Sequence, residues 1–289
     1  MQTMSATPTG SVPMMRHWSA RLLLQVLLFG SLMLGATAHA VDAPPDSNTE
    51  IWRKLRASLF QERPISDSAD RFIAFELPPR AEDAAVVPIR IVARTIQEPD
   101  RYIRNLYIVI DNNPSPVAAV FHMTPETGRA DVETRVRIES YSYVRAIVET
   151  NDGKLYMTRH YLKASGGCSA PAGTDAAAAR VGLGKMKLTL ESAPQLNKPT
   201  LVQLMIKHPN SSGLAVDQIT HLSEPPRFIK KVEVTYAGKP VMTADVDFSV
   251  SENPNFRFYF IPRSSGQLAA VAEDSDEVAF RTTLAVKTE

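Results

Sequence analysis

The stretch NLYIVIDNNPSPVAAVFHM, residues 105–123, decides the fold. It places two β-rich runs, NLYIVID and VAAVFHM, on either side of the turn signal Asp111-Asn112-Asn113-Pro114. Short runs rich in β-branched and aromatic residues, separated by Asn and Pro, are typical of strands joined by tight turns. The same pattern continues along the chain in both directions from this stretch.

Between residues 71 and 163 the chain contains seven such runs: FIAFEL, VVPIRIVAR, NLYIVID, VAAVFHM, VETRVRIES, YVRAIVET and KLYMTRHYL. Seven short strands within about a hundred residues indicate an immunoglobulin-like sandwich. Before them, Ile51, Leu55 and Leu59 recur at helical spacing, which predicts one short helix from Glu50 to Phe60. Ser47 and Glu50 have the spacing of a capping box at its start.

Residues 164–184, ASGGCSAPAGTDAAAARVGLG, lack aromatic side chains and are rich in Gly, Ala, Ser and Pro, as flexible linkers are. The strand pattern then resumes in MKLTL, VQLMIK, KKVEVTY, PVMTADVD, RFYFIP, LAAVA and FRTTLAV. The sequence therefore predicts an all-β protein with two independent immunoglobulin-like β-sandwiches, at 41–163 and 185–289, joined by a flexible linker at 164–184 and preceded by one short N-terminal helix.

The N-terminus has the pattern of a secretory signal peptide. Arg16 and Arg21 precede the apolar run LLLQVLLFGSLMLGA, and Ala38-His39-Ala40 follows as a small-x-small cleavage site. We expect a signal peptide over residues 1–40, cleavage after Ala40, and a periplasmic mature protein; an uncleaved N-terminal anchor is the alternative. No later apolar stretch approaches the roughly 20 residues of a membrane span. The net charge of +1, without a basic block, argues against a nucleic-acid partner.

The chain has one cysteine, Cys168, which is unusual in an exported protein because oxidising compartments favour paired cysteines. Gly166 and Gly167 precede it, and small residues beginning with Ser169 follow, so that no local hydrophobic neighbour can bury the thiol. We expect an exposed thiol on a mobile loop in which Gly166, Gly167 and Ser169 form a flexible arm. Such a thiol, with modest activation, suits a covalent carrier that depends on partner enzymes.

The order of blocks in the first half resembles the SoxY sulfur-carrier subunit, and the second half resembles its partner subunit SoxZ. The SoxY-like blocks are VVPIRI, LYIVIDNNPSPVAAVFHMTP, VETRVRI, VRAIVETNDGKLY and the Gly166-Gly167-Cys168 sequence. The SoxZ-like blocks are LVQLMIKHPNSSGL, FIKKVEVTYAGKPVMTADVDFSVSENPNFRFYF and the closing strands. Together these blocks cover nearly all of the chain beyond the signal region.

This resemblance implies a fused SoxYZ-like carrier in which Cys168 binds thiosulfate-derived or sulfide-derived groups covalently. It further implies no cofactor, no catalysis by the chain itself, and periplasmic sulfur-metabolising enzymes, quinoprotein dehydrogenases and c-type cytochromes as partners. The chain departs from the two-subunit carriers at the cysteine. Their GGCGG sequence ends the chain as a free arm, whereas here the sequence reads GGCSA and continues. A partner with a wider cleft than that of the usual thiosulfate-oxidising enzymes is therefore expected.

No other residues form a recognisable catalytic or metal site. The four histidines beyond the signal region, which are His122, His160, His208 and His221, lack close ligand spacing. GxSxG, HExxH, CxxC and P-loop motifs are absent. His208 precedes Pro209, where a turn or interface role is expected. Two other functions remain open: a two-sandwich binding or chaperone module in which Cys168 is dispensable, and a thiol redox protein, which would usually need a second cysteine.

Overall fold

A computed structural model describes residues 44–170, 181–216, 222–223 and 225–288. The predicted signal peptide and cleavage site, and residues 171–180 of the predicted linker, lie outside these ranges. Residues Asp46–Glu289 form one compact unit. None of the helices within the described ranges combines the length and the apolar composition that a membrane crossing requires.

The N-terminal helix α1 spans Glu50–Phe60, as predicted, and buries Trp52 and Phe60. Its N-cap is Thr49, whose side-chain oxygen accepts a hydrogen bond of 3.0 Å from the backbone N–H of Trp52. The predicted capping box at Ser47 and Glu50 is therefore wrong, since the N-cap lies two residues after Ser47. A threonine hydroxyl at this position satisfies an N–H group that has no partner within the helix.

Fifteen strands follow within the described residues, together with two short 3-10 turns at Ala69–Arg71 and Pro125–Thr127. The strands are β1 (Ile65–Ser66), β2 (Ile73–Glu76), β3 (Val87–Ala93), β4 (Ile103–Ile110), β5 (Val117–Met123), β6 (Val132–Val136), β7 (Ser142–Thr150), β8 (Leu155–Leu162), β9 (Met186–Leu190), β10 (Thr200–Ile206), β11 (Ile229–Tyr236), β12 (Lys239–Val246), β13 (Asn255–Phe260), β14 (Gly266–Asp274) and β15 (Ala279–Val286). The predicted class, all-β with two immunoglobulin-like sandwiches and an N-terminal helix, is confirmed.

The two sandwiches are joined through their sheets. One sheet has nine strands in the order β1-β8-β7-β4-β5-β12-β11-β14-β15, and the other has six in the order β2-β3-β6-β13-β10-β9. Strand β5 of the first half pairs with β12 of the second, from Ala119 opposite Val246 to Met123 opposite Met242. In the other sheet, β6 pairs with β13 at Glu133 and Arg257. The expectation of independent halves is therefore wrong, because both sheets run across the boundary.

The larger of two hydrophobic core clusters in the described residues extends through both halves, and the smaller one lies under α1. The ring of Phe121 on β5 meets that of Phe256 on β13 edge to face, with centroids 5.9 Å apart. Phe256, Phe258 and Phe260 all point inward, as their alternation predicts. Burial of apolar side chains against the other half contributes to stability in both halves, so neither sandwich has a complete core alone.

The end of β6 places the cysteine segment at the boundary between the halves. Beyond β6, Arg137 donates its backbone N–H to the carbonyl oxygen of Ser249 at 2.7 Å, and Ile138 donates to that of Ala84 at 2.8 Å. The chain that leaves β8 returns to this point at residues 164–170. The segment therefore lies where residues of both halves can contact it.

Candidate functional site

The cysteine segment, residues 164–170, lies against the end of β6. The backbone N–H groups of Gly166 and Gly167 donate hydrogen bonds of 2.8 Å and 2.9 Å to the carbonyl oxygens of Glu139 and Ile138. A Cβ atom on Gly167 would lie 2.0 Å from the carbonyl oxygen of Ala84, so only glycine allows this close approach. Gly166 has a φ of +80°, which glycine adopts without strain.

The thiol of Cys168 is buried, with the residue only 1% exposed. The expectation of an exposed thiol is therefore wrong for this structure. The local sequence offers no large hydrophobic neighbour, but the segment is held against the protein by residues that are distant in sequence and belong to both halves. Gly167 is also buried, whereas Ser169 is exposed. The three residues of the predicted flexible arm, and Cys168 between them, are thus all hydrogen-bonded to the body of the protein.

The carboxylate of Glu139 holds the turn that contains the cysteine. Its Oε2 atom accepts hydrogen bonds from the backbone N–H groups of Cys168, at 2.8 Å, and Ser169, at 3.1 Å. Its Oε1 atom accepts a bond of 2.9 Å from the hydroxyl of Ser169. Hydrogen bonds to an ionised acceptor are stronger than those between neutral groups. The sequence did not indicate Glu139 as a site residue, since it lies 29 residues from the cysteine.

Asn113 fixes the position of Glu139. Its side-chain oxygen accepts a hydrogen bond of 2.9 Å from the backbone N–H of Glu139, and its side-chain nitrogen donates to the carbonyl oxygen of Arg137 and to the hydroxyl of Ser249. Asn113 is itself buried. The asparagine-proline turn that was quoted from the sequence as a fold signal therefore also supports the cysteine site.

The second half contributes Ser212 and a set of backbone carbonyl groups. The Ser212 hydroxyl donates a short hydrogen bond to the carbonyl oxygen of Cys168. The guanidinium of Arg137, from the first half, donates to the carbonyl oxygens of Pro209, Asn210, Phe248 and Val250. Arg137 therefore binds the second half directly beside the cysteine segment.

The surroundings disfavour a negative charge on Cys168. Burial, together with the carboxylates of Glu139 and Asp247, raises the pKa of its thiol to about 12, although the guanidinium of Arg137 acts in the opposite direction. Burial also raises the pKa of Asp247, whose Oδ1 atom has no hydrogen-bond partner in the described structure. At pH 7, a thiol with a pKa near 12 is ionised in roughly one molecule in 10⁵. The buried cysteine is therefore a poor nucleophile.

The histidines are dispersed. His122 bonds Asn105 and Asp245, each at 2.8 Å, and His160 packs on the ring of Phe75. His208 is fully buried, its Nδ1 atom accepts from the backbone N–H of Asn210 at 3.0 Å, and burial lowers its pKa to about 4. His221 lies outside the described residues. The part of the chain that the structure describes contains no group of three or more acidic, His or Cys side chains placed to hold a metal ion.

Residues 181–184 at the far end of the predicted linker are also placed against the second sandwich. The backbone N–H of Gly184 donates 2.8 Å to the carbonyl oxygen of Lys207, and a Cβ atom on Gly184 would lie 2.0 Å from the ring of Phe280. Both described ends of the linker are therefore bound to the sandwiches.

Two family models match the chain in succession. The first, described as sulfur oxidation protein SoxY, matches residues 56–168, and the second, described as sulphur oxidation protein SoxZ, matches residues 187–285. The SoxY match ends on Cys168. No curated protein sequence matches the chain.

Solved structures resemble parts of the chain. The sulfur carrier protein SoxY from Chlorobium limicola f thiosulfatophilum is 26% identical over 38% of this chain and 89% of its own, with a TM-score of 0.32. The superoxide reductase (neelaredoxin) from Ignicoccus hospitalis is 17% identical over 33% of this chain and 85% of its own, with a TM-score of 0.29. A β-glycosidase from Bacteroides vulgatus is 9% identical over 74% of this chain and 25% of its own, with a TM-score of 0.22. The family assignment rests on the two family models.

Proposed function

Since the chain belongs to the SoxYZ-like sulfur-oxidation carriers, with a SoxY domain and a SoxZ domain fused in one polypeptide, we propose that it carries sulfur-compound intermediates covalently on Cys168. The single observation that carries this proposal is that the SoxY match ends on the only cysteine of the chain. The protein would present the bound group to partner enzymes and perform no turnover itself. A signal peptide over residues 1–40 would direct it to the periplasm.

The chemistry of loading requires redox partners. Joining the Cys168 thiol to thiosulfate forms a sulfur–sulfur bond and releases one proton and two electrons; joining it to hydrosulfide releases two protons and two electrons. The two electrons pass to a redox partner, for which c-type cytochromes or a quinoprotein dehydrogenase are the classes that we propose. The thiol must ionise to react, so loading requires Cys168 to leave the buried position in which its pKa is about 12.

The internal position of the cysteine limits its reach. Released from its hydrogen bonds, the segment would enter a partner as a double-stranded loop, with chain leaving on both sides of Cys168. At 3.3 to 3.6 Å per residue, the roughly six residues from the end of β8 to Cys168 span at most about 20 Å. We therefore expect a partner enzyme with an open cleft.

The proposal is tested by intact-mass spectrometry of the full chain, purified without reductant from cells that oxidise sulfur compounds, followed by peptide mapping. We expect adducts of one sulfur atom, sulfonate or thiosulfonate mass on the Cys168 peptide, all removed by dithiothreitol and all absent from the Cys168→Ser variant. An invariably unmodified Cys168, together with a Cys168→Ser strain that oxidises sulfur compounds as the wild type does, would overturn it.

One observation favours the alternative of a binding module that recruits a peptide strand. Strand β15 has eight residues and pairs with β14 on one side only among the described strands. An unpaired edge of this length can accept an added strand. The Cys168→Ser strain separates the two functions, since strand addition at β15 does not involve the thiol.

A further inference from the structure

We propose that Glu139 is a positioning residue that holds the unloaded Cys168 in its buried place, and that its carboxylate excludes an anionic sulfur adduct from that place. The empty carrier is thereby hidden and the loaded carrier displayed. This inference rests on the proposed carrier function and names a regulation of the same site.

The hydrogen bonds assign the holding role to Glu139. Its two carboxylate oxygens accept three bonds from Cys168 and Ser169, within 2.8 to 3.1 Å. The segment's other contacts are glycine N–H bonds to the carbonyl oxygens of Ile138 and Glu139, and the Ser212 hydroxyl bond to the carbonyl oxygen of Cys168. Glu139 is the only ionised group among these partners, so its removal is expected to weaken the buried position most.

Charge separates the empty from the loaded form. The buried thiol is neutral, whereas a sulfonate, thiosulfonate or persulfide on Cys168 carries at least one negative charge near neutral pH. The carboxylate of Glu139, whose Oε2 atom lies 2.8 Å from the backbone nitrogen of Cys168, repels negative charge at this sulfur. The opposing cation, Arg137, already donates to four carbonyl oxygens and is 7% exposed, so it has little freedom to turn toward an adduct. Burial of an anion without a new partner is costly.

Packing acts in the same direction. Cys168 is 1% exposed, and the backbone beside it approaches Ala84 so closely that even a methyl group on Gly167 would overlap the Ala84 carbonyl oxygen. An adduct adds between one non-hydrogen atom, in a persulfide, and five, in a thiosulfate-derived group, to the sulfur. Close-packed interiors accommodate such additions only by displacing their neighbours. Because only a few hydrogen bonds attach the cysteine segment, we expect the segment to move away from the body of the protein when an adduct is added.

The first test measures how fast iodoacetamide alkylates Cys168 in the native full chain, relative to the same protein in denaturant. We expect Glu139→Ala to react at least about tenfold faster than the wild type, as loss of charge-assisted hydrogen bonds predicts. Glu139→Gln should be intermediate, because its amide oxygen still accepts. Glu50→Ala, an exposed glutamate on α1, is the control and should match the wild type. Equal rates for Glu139→Ala and the wild type would overturn the holding role.

The second test compares two adducts of nearly equal size and different charge. Prolonged incubation of native protein with iodoacetamide or iodoacetate gives neutral carbamidomethyl or anionic carboxymethyl Cys168. Hydrogen exchange of peptides covering residues 164–170 should be slowest in the unmodified protein and fastest in the carboxymethyl form. In Glu139→Gln, the exchange rates of the two adducts should differ less than they do in the wild type. Equal exchange in both adducts of the wild type would overturn the charge-based exclusion.

Neither test uses a sulfur compound, so the outcomes separate this inference from the proposed function. Alkylation that Glu139 controls, in a protein whose Cys168 never acquires sulfur in cells, would remove the carrier function alone. Reducible sulfur adducts on Cys168, together with alkylation that ignores Glu139, would remove this inference alone.

Discussion

The guanidinium of Arg137, in the SoxY half, donates a hydrogen bond of 2.7 Å to the carbonyl oxygen of Asn210, in the SoxZ half. Arg137 is only 7% exposed, and the other hydrogen bonds of its guanidinium are donated to backbone carbonyl oxygens that also belong to the SoxZ half. Burial lowers the pKa of Arg137, although nearby acidic groups act in the opposite direction. The fused chain thus joins its halves through a buried cation as well as through its sheets.

Replacing Arg137 should destabilise the whole unit. We expect Arg137→Ala to lower the free energy of unfolding by about 3 kcal/mol, because four carbonyl oxygens lose their donor in a buried place. Urea denaturation followed by circular dichroism measures this. Arg104→Ala, which removes one exposed bond to the Asn151 carbonyl oxygen, should change the stability by no more than about 0.5 kcal/mol. A similar loss in both variants would contradict a special role for Arg137.

A methyl group on Gly167 should prevent the cysteine segment from binding the body of the protein. A Cβ atom there would overlap the carbonyl oxygen of Ala84, which is backbone and cannot turn aside. We expect iodoacetamide to alkylate Cys168 at least about tenfold faster in Gly167→Ala than in the wild type. The thermal unfolding transition should change little, because only the segment moves. Ser165→Ala, at an exposed neighbouring position, should react as the wild type does. A wild-type alkylation rate in Gly167→Ala would show that the close approach is not required.

The pH dependence of alkylation should report the raised pKa of Cys168. The thiol pKa is about 12 in the buried position and about 8.5 in a released segment, so deprotonation favours release. The buried position is therefore fully stable below pH 8 and loses stability as pH rises from about 8.5 toward 12. In the wild type the alkylation rate should keep rising above pH 9.5, whereas in Glu139→Ala it should level off nearer pH 9. If the wild type and Glu139→Ala gave the same pH–rate profile, with an ordinary thiol pKa in both, the result would count against the buried state.

Removing the buried carboxylate of Asp111 should release α1. Arg145 donates to both oxygens of Asp111, at 2.7 Å and 2.6 Å, and its guanidinium lies 4.0 Å from the centroid of the Trp52 ring. Because both charged side chains are almost fully buried, Asp111→Asn leaves Arg145 without its countercharge, and we expect a loss of about 3 to 5 kcal/mol in a urea titration. Asp152→Asn, which removes an exposed pair with Lys154, should leave the titration unchanged. Trp52 fluorescence should shift toward that of a solvated indole in Asp111→Asn only.

Local patterning was sufficient for the helix and for fourteen of the fifteen described strands, but it did not predict the two-residue strand β1 at Ile65–Ser66. Helix α1 has the predicted bounds, and the alternating Phe256, Phe258 and Phe260 face the core, because both features depend on the spacing of apolar residues along the chain. The exact cap was missed, since Ser47 and Thr49 are both good caps and only the helix geometry selects between them.

The pairing of strands from one half with strands of the other could not be predicted from local patterning. Nothing in the sequence of β5 or β12 distinguishes a strand at the edge of a sandwich from one that continues into a second sandwich. That choice depends on the register of residues more than a hundred positions apart, such as Ala119 and Val246.

The sequence by itself determined the strands, the helix, the one cysteine and its glycine-rich approach, since these follow from residue types and their spacing. Only the tertiary structure decided that Cys168 is buried, because the residues that contact its segment, Ala84, Ile138, Glu139 and Ser212, are each distant along the chain. Small neighbouring residues predict a segment that can move. They equally permit the close backbone approach at Gly167 that buries the thiol, and long-range contacts select the second outcome.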